Sequence, residues 1–251
     1  MSGSSRSEKK RRQDDRQRRL AAAGIQVPQK VTATNRTPLI VIAVVLAVVV
    51  IVGAVVLYQR SKTTSVDPTY TATAAGAVVT AGSGPTVVDV YEDYLCPLCD
   101  RFEQTYGNEV TTALNAKQIT VRFHTIAILD KSTTPNGYST RAADAALCAV
   151  PAGIYPKYHK KLFESQPAEG SAGLTDDQLI AFGTELGATG DFAGCVRGTT
   201  HDAAITAETN TSAGTPALQT NGQFGTPTVA VKGAKINIGD ADWLKNAIAG
   251  K

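Results

Sequence analysis

The stretch TVVDVYEDYLCPLC, residues 86–99, decides the fold of this chain. Its first half is β-branched and apolar, which predicts a buried strand over Thr86–Tyr91. Cys96 and Cys99 follow after a short loop, and Pro97 between them suits the first position of a helix. Two thiols at this spacing can hold either a reactive disulfide or half of a zinc site.

The pattern outside this stretch predicts an α/β domain. Strand signals lie on both sides of a mainly helical segment, about 137–214, which indicates a small sheet with an inserted helical subdomain. The other predicted strands are Ala77–Thr80, Ile119–Ile126 and the hairpin Thr228–Val231 with Lys235–Ile238. The predicted helices run from Pro97 to about Ala116 and over Ala142–Val150, Tyr155–Ser165, Thr175–Gly187, Asp191–Ala207 and Asp240–Ala249.

The N-terminal third predicts a single-pass membrane anchor. The chain has 251 residues and a net charge of +3, but its basic residues concentrate in residues 1–38, which we expect to be a disordered tail. No charge interrupts the run from Leu39 to Leu57, and a helix needs about 20 apolar residues to cross a bilayer core. Because basic residues stay on the cytoplasmic side, we predict a cytoplasmic tail, a transmembrane helix over 39–58, a stalk over 59–76 and an extracytoplasmic domain over 77–251 in the cell membrane.

Other interpretations of this third are open. A cleaved signal peptide is disfavoured by the long leading region and the length of the apolar run. A buried core helix is disfavoured because the run is apolar on every face. The basic block could bind anionic lipid or nucleic acid, but we interpret it as a determinant of topology. We therefore expect the lipid bilayer as a partner and no nucleic acid.

The position of the two cysteines at a helix start predicts redox chemistry. Unpaired backbone N–H groups and the helix dipole stabilise a thiolate there and lower its pKa. Cys96 would then be the nucleophile, and Cys99, one turn later, the resolving thiol. All four cysteines follow the predicted anchor, and an even number in an extracytoplasmic domain fits an oxidising compartment.

Two motifs carry a family resemblance. The stretch Asp93-Tyr94-Leu95-Cys96-Pro97-Leu98-Cys99 after a strand, and Gly225-Thr226-Pro227-Thr228 before a hairpin, resemble the DsbA-like thioredoxin-fold oxidoreductases. The resemblance covers roughly 80–251 and is strongest to the membrane-anchored actinobacterial members. It implies a thioredoxin fold with the helical insertion, thiol–disulfide exchange and no cofactor. It also implies that Pro227 is cis and packs against the active-site disulfide, that Thr226 faces the cysteines, and that Pro97 and Leu98 complete the site.

One position departs from that family. Many relatives carry a buried acid, the proton acceptor, six residues before the first cysteine, where this chain has Val90. Glu92 or Asp93 could assist proton transfer instead, or both could be solvated loop charges. Thr226 occurs at its position in isomerases and weaker oxidants of the superfamily, so the resemblance leaves the oxidising strength open.

The other two cysteines, Cys148 and Cys195, lie in the helical block. Four cysteines allow three pairings, and with Cys96–Cys99 as the redox pair these two remain. Relatives with such a pair imply a structural disulfide, worth about 4 kcal/mol in the chain-entropy model. A zinc site of all four cysteines is disfavoured, because the last two stand far apart without a neighbouring ligand, and we predict no metal site.

The chain has three histidines that could serve as metal ligands. None has the spacing of a metal ligand. We expect His124, in a strand, to be a core or rim residue, and His159 and His201 to lie at the surface.

Three functions follow from these features. The first is an extracytoplasmic oxidase that introduces disulfides into exported cysteine-containing proteins and is reoxidised by a membrane partner of the DsbB or VKOR type. The second is an isomerase or reductase of the same fold. The third is a membrane-anchored binding or chaperone module whose disulfides are only structural. We expect a monomer in each case.

Overall fold

A computed structural model describes residues 4–24 and 65–250. The first range holds helix α1, Ser4–Ala22, and belongs to a separate unit from the second. This helix differs from the disorder predicted for residues 1–38. Its composition explains the difference, because Arg, Lys, Gln and Ala are strong helix formers, and Glu8 pairs with Arg12 one turn later at 3.2 Å.

The predicted transmembrane helix over 39–58 lies outside the described residues. Within the ranges that the structure covers, we find no helix with the length and apolar character that a membrane crossing requires.

Six strands form one mixed sheet in residues 65–250, in the order β1-β2-β4-β3-β5-β6. They are β1 (Ala72–Ala75), β2 (Val78–Gly82), β3 (Thr86–Glu92), β4 (Ile119–Thr125), β5 (Thr228–Val231) and β6 (Ala234–Lys235). The pair β3–β4 is parallel and the other neighbours are antiparallel. Because β3 lies between β4 and β5, its end delivers the loop with Cys96 to the centre of one sheet edge.

The helices of the second range are α2 (Pro97–Asn115), α3 (Tyr138–Cys148), α4 (Tyr155–Glu164), α5 (Asp176–Glu185), α6 (Phe192–Arg197), α7 (Asp202–Ala213) and α8 (Trp243–Ile248). Helices α3 to α7 follow β4 and precede β5 along the chain, and together they form the predicted insertion. The helix predicted over Asp191–Ala207 is two helices, because the chain turns at Gly198–His201, where Thr199 has a φ of 48°. Short 3-10 turns lie at Asp130–Ser132 and Pro216–Leu218.

The prediction of a stalk over 59–76 is wrong for residues 65–76, which pack on the domain. Strand β1 pairs with β2, and the side chains of Asn108 and Asn115 on α2 accept backbone N–H groups of Val66 and Thr69 at 3.0 and 2.7 Å. The two side-chain amides thus satisfy backbone N–H groups of a segment whose composition alone predicts a flexible linker. The predicted strand Lys235–Ile238 is also shorter than expected, since β6 ends at Lys235.

Candidate active site

Cys96 and Cys99 lie at the start of α2. Cys96 is the N-cap residue, Pro97 the first helical residue, and Cys99 closes the first turn. Both cysteines carry free thiols and are buried, at 6% and 0% exposure. Leu98 between them is 55% exposed, so an apolar side chain faces solvent beside the more accessible sulfur.

The pKa values of the two thiols are shifted in opposite directions. Hydrogen bonding from the Cys99 thiol, and from Thr226 and the first backbone N–H groups of the helix, lowers the pKa of Cys96 to about 6 against the effect of burial. Burial raises the pKa of Cys99 well above its ordinary value. At neutral pH the pair therefore consists of one thiolate, at Cys96, and one thiol.

The loop before β5 faces the nucleophile. The Cys96 thiol donates to the carbonyl oxygen of Thr226 at 3.3 Å, although 130 positions separate these residues. The Thr226–Pro227 bond is cis, and Thr226 Oγ1 is buried without a hydrogen-bond partner in the thiol form. Because that hydroxyl can donate to the sulfur once Cys96 ionises, the loop stabilises the thiolate more than the thiol.

Asp93 holds the active-site loop in place. One carboxylate oxygen accepts the Leu95 N–H at 2.9 Å and the Ser139 hydroxyl at 2.7 Å, and the other accepts the Leu129 N–H at 2.9 Å. Burial raises its pKa to about 6. The prediction that Asp93 could be a solvated loop charge is wrong, and its hydrogen bonds assign it to joining three chain segments.

Glu92 is a second buried acid whose charge acts on the cysteines. It ends β3 at 3% exposure, on the same strand face as Val90, so it too is not a solvated charge. Its Oε2 lies 3.0 Å from His159 Nε2, and its Oε1 is buried without a hydrogen-bond partner. Burial raises the pKa of Glu92 to about 8, so this carboxyl holds a proton up to neutral pH.

Glu103 and His159 complete this cluster, and neither was singled out from the sequence. One ligating atom from each of Glu92, Glu103 and His159 lies within 4.8 Å of the others. Burial, and then the charge of Glu92, raises the pKa of Glu103 to about 8, while burial lowers that of His159. Two carboxyls this close together beside a neutral imidazole repel each other when both are charged, which favours a proton on at least one of them.

A sequence signal existed for only one of these two residues. Glu103 follows Cys99 by four positions on α2, which places both on one helix face. His159 was predicted at the surface, which is wrong. It is 4% exposed and packs among the rings of Tyr94, Phe123 and Phe163, a contact that only the tertiary fold creates.

Cys148 and Cys195 form a disulfide that joins α3 to α6, with their Cα atoms 5.9 Å apart. This is the pairing that the resemblance implied. His201 lies against it, with Nδ1 3.9 Å from Cys148 Sγ. His124 occupies β4 between the carboxylates of Asp89 and Glu208, at 3.1 and 2.7 Å.

Comparisons with known proteins place this geometry among redox proteins. Residues 74–249 match the family described as thioredoxin. The oxidised DsbA of Mycobacterium tuberculosis superposes with a TM-score of 0.59 at 25% identity, over 72% of this chain and 91% of DsbA. The reduced disulfide bond oxidoreductase DsbG of the same organism gives 0.57 at 28% identity, over 67% and 81%.

A partial relative is the serine/threonine-protein kinase PknE of Mycobacterium tuberculosis. It is 31% identical over 128 residues, which are 49% of this chain and 23% of the kinase. This chain therefore matches less than a quarter of that protein's length.

Proposed function

The chain belongs to the thioredoxin family and is a thiol–disulfide oxidoreductase, and we propose that it is an oxidase that introduces disulfides into exported proteins. The observation that carries the proposal is that the two buried thiols at the start of α2 have pKa values shifted in opposite directions, lowered at Cys96 and raised at Cys99. A stable Cys96 thiolate favours the reduced enzyme, and an enzyme whose reduced form is stabilised is an oxidant.

The first step opens the enzyme disulfide. A substrate thiolate attacks Cys96 Sγ, a mixed disulfide forms, and the Cys96–Cys99 bond breaks. The electron pair stays on Cys99, whose burial disfavours a thiolate. The charge of Glu92 acts on Cys99, and this carboxyl holds a proton up to neutral pH, so we assign to Glu92 the protonation of the leaving sulfur.

The second step releases the oxidised substrate. A second substrate thiolate attacks the substrate sulfur of the mixed disulfide, and Cys96 leaves as a thiolate. Its pKa of about 6 makes it a good leaving group at neutral pH. The substrate gains a disulfide, and two electrons remain on Cys96 and Cys99.

Reoxidation of this dithiol requires an electron acceptor. We assign that role to a membrane partner of the DsbB or VKOR type, with a transmembrane helix over residues 39–58 holding the domain beside it. The charge pattern of residues 1–57 supports this arrangement, with the N-terminus in the cytoplasm and the site outside. Labelling of a single engineered cysteine after residue 59 in intact cells tests it, and inaccessibility contradicts the topology.

A second candidate function is reduction or isomerisation, which Thr226 beside the cis Pro227 favours. The reduction potential separates the two. A Cys96 pKa of about 6 lies between the values near 7 of thioredoxin and near 3.5 of DsbA. We therefore expect a potential between about −270 and about −120 mV.

The direct test is oxidation of a reduced, unfolded protein that has two cysteines. The oxidised chain should form its disulfide in stoichiometric amounts, and Cys96→Ser should abolish the reaction. The matched control is Cys148→Ser with Cys195→Ser, which removes the other disulfide and should keep the reaction. Activity that survives Cys96→Ser, or a potential near about −270 mV, contradicts the oxidase.

A further inference from the structure

The charges of helix α1 are distributed unevenly around its axis. With about 3.6 residues per turn, one half of the circumference over residues 8–20 holds five basic residues and no acidic one. This half, which we call the basic face, consists of Lys9, Lys10, Arg12, Arg16 and Arg19. The opposite half holds Arg11 and Arg18 together with the three acids Glu8, Asp14 and Asp15. Residues 8–19 are exposed, so the basic face is open to a partner.

A determinant of membrane topology does not require this one-sided arrangement. The orientation of a membrane protein depends on how many Lys and Arg residues flank the apolar run, and not on which face of a helix they occupy. The acids are confined to the other half, where Glu8 lies at the border and pairs with Arg12 at 3.2 Å. The separation of charge therefore indicates a surface that meets an anionic partner.

The composition of the basic face fits a partner that is recognised by charge alone. Its five cations extend over about 15 Å of the helix axis. Leu20 is the one large apolar residue of α1, and the helix has no aromatic residue. It therefore lacks an apolar stripe to insert among acyl chains and a ring to stack on a nucleic-acid base. Attraction to anionic headgroups at a membrane surface needs neither.

The position of α1 in the chain favours lipid over nucleic acid. The 16 residues 23–38 join the helix to the apolar run that begins at Leu39. Fully extended, this segment reaches about 55 Å, so a chain anchored over 39–58 keeps α1 within that distance of the headgroups of one leaflet. Such a tether raises the effective concentration of lipid at the helix, whereas a nucleic acid must bind from solution.

We propose that the basic face of α1 binds the anionic lipid headgroups of the cytoplasmic leaflet, so that the helix lies along the membrane surface. This contact rests on the transmembrane helix proposed above and is independent of the reaction at Cys96 and Cys99. A single helix of 19 residues is only marginally stable in water, so the membrane also holds α1 in its helical form.

The experiment places the full chain in nanodiscs and measures the amide hydrogen exchange of residues 8–20 by mass spectrometry. One set of discs contains neutral phosphatidylcholine, and the other contains the same lipid mixed with anionic phosphatidylglycerol. At about 0.15 M salt, exchange should be at least about 10-fold slower in the anionic discs, and about 1 M salt should remove this difference because it screens the charges.

A matched pair of double variants separates the basic face from the net charge. Arg16→Gln with Arg19→Gln removes two charges from the basic face, and Arg11→Gln with Arg18→Gln removes two from the opposite half. The first variant should lose most of the protection in anionic discs and the second should keep it. Glutamine and arginine have similar helix propensities, so neither variant weakens the helix by itself. Equal loss in both variants, or equal exchange in anionic and neutral discs, overturns the proposal.

Two further measurements identify the partner and isolate the transmembrane helix. A DNA duplex added to the neutral discs should protect residues 8–20 less than the anionic lipid does, and stronger protection by the duplex overturns the proposal in favour of nucleic acid. A chain that does not enter the neutral discs refutes the transmembrane helix. In that case anionic vesicles added to the same chain test α1 by itself, with the same two double variants.

Discussion

Replacing Glu92 by Gln tests the proton transfer on which the proposed oxidase depends. The carboxyl ends a buried strand beside His159, and burial raises its pKa from 4.5 to about 8. Above pH 4.5 the unfolded chain releases this proton and the folded chain keeps it. The free energy of unfolding of the native chain must therefore fall as the pH rises towards 8.

The size of this loss follows from the pKa shift. At about 1.4 kcal/mol per pKa unit, the shift lowers the free energy of unfolding of the native chain by about 5 kcal/mol at pH 8. The variant escapes this loss, but its weaker hydrogen bond to His159 costs it about 1 kcal/mol. Glu92→Gln should thus stabilise the chain by about 4 kcal/mol at pH 8 and leave it little changed at pH 5. Urea unfolding followed by the fluorescence of Trp243, the one tryptophan of the chain, measures both values.

The same substitution should slow the reaction. When the reduced enzyme meets glutathione disulfide, Cys96 forms a mixed disulfide that Cys99 must resolve after losing its proton. At pH 8, where Glu92 is partly ionised and can accept that proton, its loss should slow this step about 10²-fold. The mixed disulfide then accumulates, and mass spectrometry of acid-quenched samples detects it.

Glu109→Gln, at an exposed position of α2, is the matched control for Glu92→Gln and should change neither measurement. Parallel stability curves from pH 5 to 8, together with an unchanged rate of resolution, refute Glu92 as the acceptor.

Three further substitutions test the surroundings of the site. Thr226→Val removes the hydroxyl that reaches the thiolate and should raise the pKa of Cys96 from about 6 by about 1 unit; an unchanged pH profile of alkylation excludes that contact. Gln166→Ala breaks hydrogen bonds of 3.0 and 3.1 Å to two carbonyls of the active-site loop and should cost about 1–2 kcal/mol in urea unfolding, whereas the exposed Gln118→Ala should cost almost nothing. Burial opposes a charge on His124, but its two carboxylate neighbours outweigh burial and raise its pKa. The charged imidazole therefore stabilises the fold fully below about pH 6.5, and this stabilisation is lost as the pH rises through the raised pKa. The His124→Gln variant should therefore be less stable than the native chain by about 1 kcal/mol at pH 6, and this difference should shrink as the pH rises to 8.5. A difference that stays constant over this pH range contradicts the ion pair.

Local chemistry made part of this molecule predictable. The β-branched run before Cys96 and the proline after it specify a strand and a helix start whatever the rest of the chain does, and both appear as β3 and α2. The capping residues Thr175 and Gln178 act in the same way, and their reciprocal hydrogen bonds begin α5 where the sequence places a helix.

Contacts between distant segments were not predictable. Residues 65–75 have a composition that suits a linker. They are ordered because β2 pairs with β1 and two asparagines of α2 accept the backbone N–H groups of Val66 and Thr69 before it. His159 meets Glu92 across 67 positions, and only the docking of α4 beneath the loop creates that pair. Such residues carry no signal in a single sequence, because their burial depends on which surface each element covers.

The sheet and the helical insertion supply different groups to the active site. The sheet side supplies Thr226, which acts on the Cys96 thiolate and therefore on the equilibrium between oxidised and reduced enzyme. The insertion supplies His159, which contacts Glu92, the buried carboxyl that we propose moves the proton of Cys99. Because different residues control them, the reduction potential should respond mainly to substitution at Thr226. The rate of resolution should respond mainly to substitution at Glu92, at a pH near 8 where this carboxyl is partly ionised. A chain could then change its oxidising strength through one loop while the insertion keeps proton transfer fast, which gives the helical insertion a catalytic role beyond enlarging the fold.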